Sequence, residues 1–151
     1  MKPLLAIVFM MFSVAPLAAQ EGDETREDIP PAIILPGETA DLNEFLWIKR
    51  PLVVFADSPA DPRYTLQMEY LTERLEYLDE RDVVVLTDTD PSAKSALRQR
   101  LRPRGFMLVL IGKDGTIYLR KPLPWDVREI SRVIDKMPMR QQEIRDRRGG
   151  S

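Results

Sequence analysis

The sequence predicts an α/β domain with a mixed four-stranded sheet, helices on both faces and the element order β-α-β-α-β-β-α. Three observations predict it. Short apolar runs at residues 51–56 (PLVVFA), 83–86 (VVVL) and 106–111 (FMLVLI) have the length and β-branched content of strands buried on both sides. Stretches with helical apolar spacing separate these runs, and a helical crossover makes the first two strands parallel. After the third run, Gly112-Lys113-Asp114-Gly115 is a hairpin turn, because Asp-Gly supplies the positive φ angles of tight turns, so the last pair is antiparallel. The resulting order puts strand 51–56 in the centre, between strands 83–86 and 106–111, with 116–120 at an edge.

The elements follow in order. Residues 1–19 form a separate unit: Lys2 supplies charge, residues 4–14 form an apolar run of about ten residues, and Ala18-Ala19 precede Gln20, as in a secretory signal peptide cleaved after Ala19. The run is too short for a membrane span, and no later segment is long or apolar enough for one. Residues 20–40 read as a linker, acidic at 21–28 (EGDETRED) and then rich in proline, with Ile33, Ile34 and Leu35 extended against the domain. The domain is expected to span residues 41–140, opening with a short helix or turn around Leu42 and Phe45. Asp61 caps a helix with Pro62 at its first position, and Tyr64, Met68, Leu71, Leu75 and Leu78 carry its stripe to about Asp79. Asp90-Pro91 repeats the signal for a helix that ends near Leu101, before Pro103. The last helix runs over residues 126–136 and buries Val127, Ile130, Val133 and Ile134, with Met137 at its end. Beyond Arg140 the apolar face is lost, so residues 141–151 read as a solvated basic tail that folding does not need.

Composition narrows the function. The chain has no cysteine and no histidine, which removes the side chains most used as nucleophile, general base and transition-metal ligand near neutral pH. Export usually permits disulfides, so a periplasmic or secreted chain without cysteine must be held by packing, for which about 130 mature residues suffice. With 22 Lys and Arg against 24 Asp and Glu, the net charge of −2 does not favour nucleic acid as a partner. No cofactor is expected.

The element order resembles the thioredoxin fold. Val53-Val54-Phe55-Ala56, followed by a proline-containing loop and a helix, is similar to the first strand and active-site loop of thioredoxins. Residues 58–61 then stand in the place of Cys-x-x-Cys, and Met107 in the place of the cis-proline, so both marks of thiol chemistry are missing. Trp47, residues 50–56 (RPLVVFA), Arg81-Asp82, residues 110–115 (LIGKDG), Trp125 and residues 134–140 (IDKMPMR) resemble more closely the family called domain of unknown function 4174, over about residues 42–144. That resemblance implies a thioredoxin-like or peroxiredoxin-like exported domain and carries no established activity.

Candidate ligand-binding residues are Asp57, Ser58, Asp61, Arg63, Asp88 and Arg104, in loops at the C-terminal ends of the parallel strands, where α/β sheets bind ligands. Asp57, Asp61, Asp88 and Asp90 could together hold Mg²⁺ or Ca²⁺ if they converge, and otherwise serve as helix caps and turn residues. Ser58 lacks a histidine base and fits an ordinary turn. Arg98, Arg100 and Arg102 could join Arg63 and Arg104 around an anion, or pair with the abundant carboxylates. Trp47 and Trp125 are expected in or beside the core. No residue is assigned as catalytic and none as a metal ligand. The leading expectation is an exported, non-redox module that binds a protein or small ligand. The alternative is a carboxylate-based metal-dependent hydrolase, or a vestigial oxidoreductase.

Overall fold

The computed structural model describes residues 32–150, so the signal peptide at 1–19 and most of the linker lie outside the described residues. Five strands form one mixed sheet: β1 (Ile34–Pro36), β2 (Arg50–Phe55), β3 (Val83–Asp88), β4 (Met107–Ile111) and β5 (Ile117–Lys121), in the spatial order β1-β3-β2-β4-β5. β2 pairs parallel with β3 and antiparallel with β4, and β4 pairs antiparallel with β5, as the crossover and the Asp-Gly turn dictate.

The fifth strand is a correction to the sequence reading, which placed Ile33, Ile34 and Leu35 in a linker. β1 runs parallel to β3, and the amide of Val85 donates to the Ile33 carbonyl at 2.7 Å. Proline signals a linker, yet an edge strand tolerates it because its outer side needs no ladder donor, and Pro36 closes β1 there. Gly37 follows at 2.7 Å from the Thr87 carbonyl, and a Cβ on it would lie 2.9 Å from both that oxygen and Leu97 Cδ1.

Both sheet faces are covered, so the strands alternate between two apolar layers rather than between core and solvent. Leu52, Val54, Val85, Leu108 and Leu110 face α1 (Pro62–Thr72), α2 (Leu75–Asp79) and α4 (Val127–Asp135) through Leu71, Leu78, Ile130 and Ile134. Val53, Phe55, Leu86 and Val109 face the other way, onto α3 (Ala96–Leu101) and the 3-10 turn Leu42–Phe45. Buried Gln67 on α1 donates to the Trp125 carbonyl at 2.8 Å and accepts from its amide at 2.9 Å, tying α1 to the start of α4.

Three further elements differ from expectation. The helix expected from Pro62 to Asp79 is two helices, with Arg74 outside helical dihedrals; near the break the Thr72 hydroxyl donates to the Met68 carbonyl, a local bond of the kind that bends helices. Asp90 caps only the 3-10 turn Pro91–Ala93, and Ser95 caps α3 after Lys94 turns left-handed. The expected tail is a helix, α5 (Pro138–Gly149), whose Arg140 is buried. Trp47 also departs from expectation: it is 66% exposed, has φ +66° and donates its amide to the Lys113 carbonyl.

Candidate functional site

The C-terminal ends of β2 and β3 lie side by side, with Phe55 paired to Asp88. The loop after β2 opens with exposed Asp57 and Ser58, and the Ser58 hydroxyl accepts the Ala60 amide at 3.1 Å, which makes it a turn residue. Asp61 caps α1 by accepting the Arg63 amide at 2.9 Å, and it also takes the Arg63 guanidinium at 2.9 and 3.2 Å. Those Arg63 bonds hold the Asp61 carboxyl below its ordinary value. The guanidinium stands 5.7 Å from the centroid of the Phe106 ring, opposite the loop that starts β4.

Asp88 belongs to a separate, closed cluster. Its side chain is buried at the end of β3, where it accepts Arg98 Nε at 2.8 Å, the Ser95 hydroxyl at 2.5 Å and the Asp90 amide at 3.2 Å. Arg98 Nη2 continues to the Ala56 carbonyl at 2.6 Å, and the guanidinium covers the Phe55 ring at 5.4 Å. A buried carboxylate needs such partners because it has lost its water. Here they fasten α3 to the ends of both central strands. Asp90 accepts the Ser92 amide and hydroxyl, and those bonds lower its pKa.

The structure therefore pairs Asp61 with Arg63 and Asp88 with Arg98, and leaves Asp57, Ser58 and Arg104 exposed. It does not bring the four aspartates together: among the described residues no group of three or more Asp or Glu is placed to hold a metal ion. Of the five arginines expected to converge, Arg63 and Arg98 are each committed to an aspartate, and Arg100, Arg102 and Arg104 point to the surface. Two clefts lie elsewhere, one of about 460 Å³ between residues 38–43 and α3, another of about 280 Å³ between α2 and α4.

Sequence reasoning missed a further polar cluster, at the opposite end of the sheet. Arg50, fully buried at the start of β2, donates to Glu143 of α5 at 2.9 and 3.3 Å and to the Arg81 carbonyl at 2.9 Å. Lys113 reaches Glu143 at 2.7 Å and Asp82 at 2.8 Å. Arg140 bridges Glu143 to Asp135, which also takes the Arg81 guanidinium at 2.9 and 3.0 Å. Burial alone would push the Glu143 carboxyl up, but the hydrogen bonds and charges of Arg50 and Lys113 win and hold it at about 2. The same contest at Asp135 is decided by Arg81, then Arg140, and its pKa is lowered. Arg50, Arg81, Asp82, Lys113, Asp135 and Arg140 all come from the segments on which the family resemblance rests. Those segments thus converge on a structural lock, and the signal for it was the set of charged residues embedded in them.

The described residues contain no helix long and apolar enough to cross a membrane. The family model for Domain of unknown function (DUF4174) matches residues 41–143. The fold is similar to a reduced 2-Cys peroxiredoxin of Plasmodium vivax, with a TM-score of 0.54 and 17% identity over 68% of this chain and 85% of that one. It is likewise similar to Plasmodium yoelii Prx1a modified at its N-terminus, with a TM-score of 0.52 and 19% identity over 68% and 81%. At such identities the likeness concerns the fold alone. No curated protein matches the chain.

Proposed function

The chain belongs to the Domain of unknown function (DUF4174) family, and from that premise we propose that it is a thioredoxin-like module that binds a protein or small ligand and performs no thiol redox chemistry. The observation that carries this reading is the loop after β2. Ser58-Pro59-Ala60-Asp61 stands at the position of a redox motif in a chain without cysteine; its one ionisable side chain, Asp61, is spent on capping α1 and on Arg63, and the Ser58 hydroxyl on the turn. Disulfide and peroxide reduction both proceed through a thiolate, and methionine's thioether does not supply one. Insulin reduction and peroxide consumption by the pure protein are expected to equal the blank. Turnover that persists through further purification overturns the reading.

The same proposal places the protein in the periplasm or outside the cell. The support is the charge, apolar run and small residues of positions 1–19. Intact-mass measurement of the exported protein is expected to give a start near Gln20, and a membrane-bound product that retains Met1 overturns this part.

A further inference from the structure

The cleft between α2 and α4 is lined mainly by cationic side chains. Its volume is about 280 Å³, and four arginines line it, Arg74, Arg81, Arg128 and Arg132, against a single carboxylate, Asp135. That is a concentration of positive charge on a chain whose net charge is −2.

Arg81 is paired with Asp135 and Glu80, but the charges of the other three arginines are not firmly cancelled. Asp135 is consumed by the bidentate fork of Arg81 and by Arg140, so it does not neutralise the other cations. Arg132 meets Glu129 at 3.2 Å, but both side chains are about half exposed or more, and such a pair holds weakly in water. Arg74 lies over the Tyr77 ring, 5.8 Å from its centroid, with no carboxylate within salt-bridge reach among the described residues. Arg128 is exposed on α4 and likewise forms no ion pair there.

A second, independent observation points the same way. Ser131 lines the cleft, is 7% exposed, and its hydroxyl has no hydrogen-bond partner among the described residues. Buried hydroxyls in folded proteins are nearly always paired, so one on a cleft-lining residue without a partner has a donor to spare. Guanidinium forks match the oxygens of a phosphate. The Tyr77 ring, part-exposed at the rim, offers a flat apolar wall for whatever the phosphate is attached to.

We propose that the α2–α4 cleft binds a phosphate monoester or phosphodiester headgroup, with Arg74, Arg128 and Arg132 as its cationic wall and Ser131 as a hydroxyl donor. This site uses none of the residues at the C-terminal ends of β2 and β3, so it stands or falls apart from the absence of thiol chemistry.

The test is calorimetric titration of the full chain in a phosphate-free buffer with three probes: inorganic phosphate, glucose 6-phosphate, and vesicles of phosphatidylcholine with or without phosphatidylglycerol. Saturable binding is expected, with affinity at least tenfold lower for the Arg74→Ala/Arg128→Ala double variant and several-fold lower for Ser131→Ala. Arg100→Ala removes one positive charge from α3, away from the cleft, and is expected to bind as the parent does. Arg74 and Arg128 are exposed and Ser131→Ala deletes an unpaired group, so the melting temperatures should hold, which separates lost binding from lost folding. Binding to glucose 6-phosphate and phosphate identifies a soluble ester as the source, and binding only to phosphatidylglycerol vesicles identifies a headgroup. Heats that do not saturate for any probe, or that fall equally in Arg100→Ala, overturn the proposal.

Discussion

Ending the chain at Arg140 is expected to destabilise the fold by about 3–5 kcal/mol, because it strands the buried Arg50 and takes from Lys113 one of its two carboxylates, leaving Asp82. Arg50 is fully buried and Lys113 nearly so, and both rely on Glu143. Arg50 Nε already has no partner among the described residues, so the rest of the guanidinium has little in reserve. On the usual scale for a domain of this size the melting temperature should fall by roughly 10–20 °C. Glu143→Ala in the full chain should reproduce most of the loss, which assigns it to the carboxylate and not to helix length. The lock also has a pH signature. The Glu143 carboxyl lies at about 2 in the folded chain against 4.5 for an unperturbed glutamate. A depressed folded pKa gives stability that is full above about pH 4.5 and is lost as pH falls toward 2, about 3 kcal/mol in all. Denaturant midpoints measured between pH 6 and 2.5 should fall steeply for the parent chain and less steeply for Glu143→Gln. Equal slopes would mean that other carboxylates, Asp135 among them, carry the acid sensitivity.

Arg98→Ala is the second large expected effect, again about 3–5 kcal/mol, since it leaves the Asp88 carboxylate buried without its cation. It also frees the Ala56 carbonyl and uncovers the Phe55 ring. A double-mutant cycle with Asp88→Ala should show the two losses to be far from additive, with a coupling of at least about 1 kcal/mol. Additive losses would show that Arg98 acts through the carbonyls and the ring instead of the carboxylate.

The sequence was legible where burial is apolar. Runs such as VVVL and FMLVLI announce strands because both faces of this sheet are covered, and the cap at Asp61 and the turn at Gly115 are local chemistry with a fixed spacing. It was illegible where burial is ionic. Residues 141–151 looked like a tail because α5 has no apolar stripe, yet the side it turns to the sheet carries Arg140 and Glu143. No spacing rule relates Arg50 to Glu143 or Arg81 to Asp135, so partners that meet only through the tertiary fold leave no period to detect. The same blindness applied at the C-terminal ends of β2 and β3: four aspartates were countable, but that Asp88 is closed off by Arg98 while Asp61 takes Arg63 depends on how α3 docks. At β1 the error ran the other way, since Pro36 carries a local signal that an edge position overrides.

The bond between Arg50 and Glu143 joins residues 93 positions apart. A chain made from its amino end displays strand β2, with a guanidinium destined for the interior, long before the carboxylate that matches it has been polymerised. Until α5 is free, the nascent domain has its apolar layers but lacks its counter-ion, and closing so distant a contact carries the loop entropy of nearly the whole domain. Completion of the fold therefore waits for α5, and a chain whose α5 is still held in the ribosome, or that is terminated before it, should remain easier to unfold and to degrade than one that has docked it.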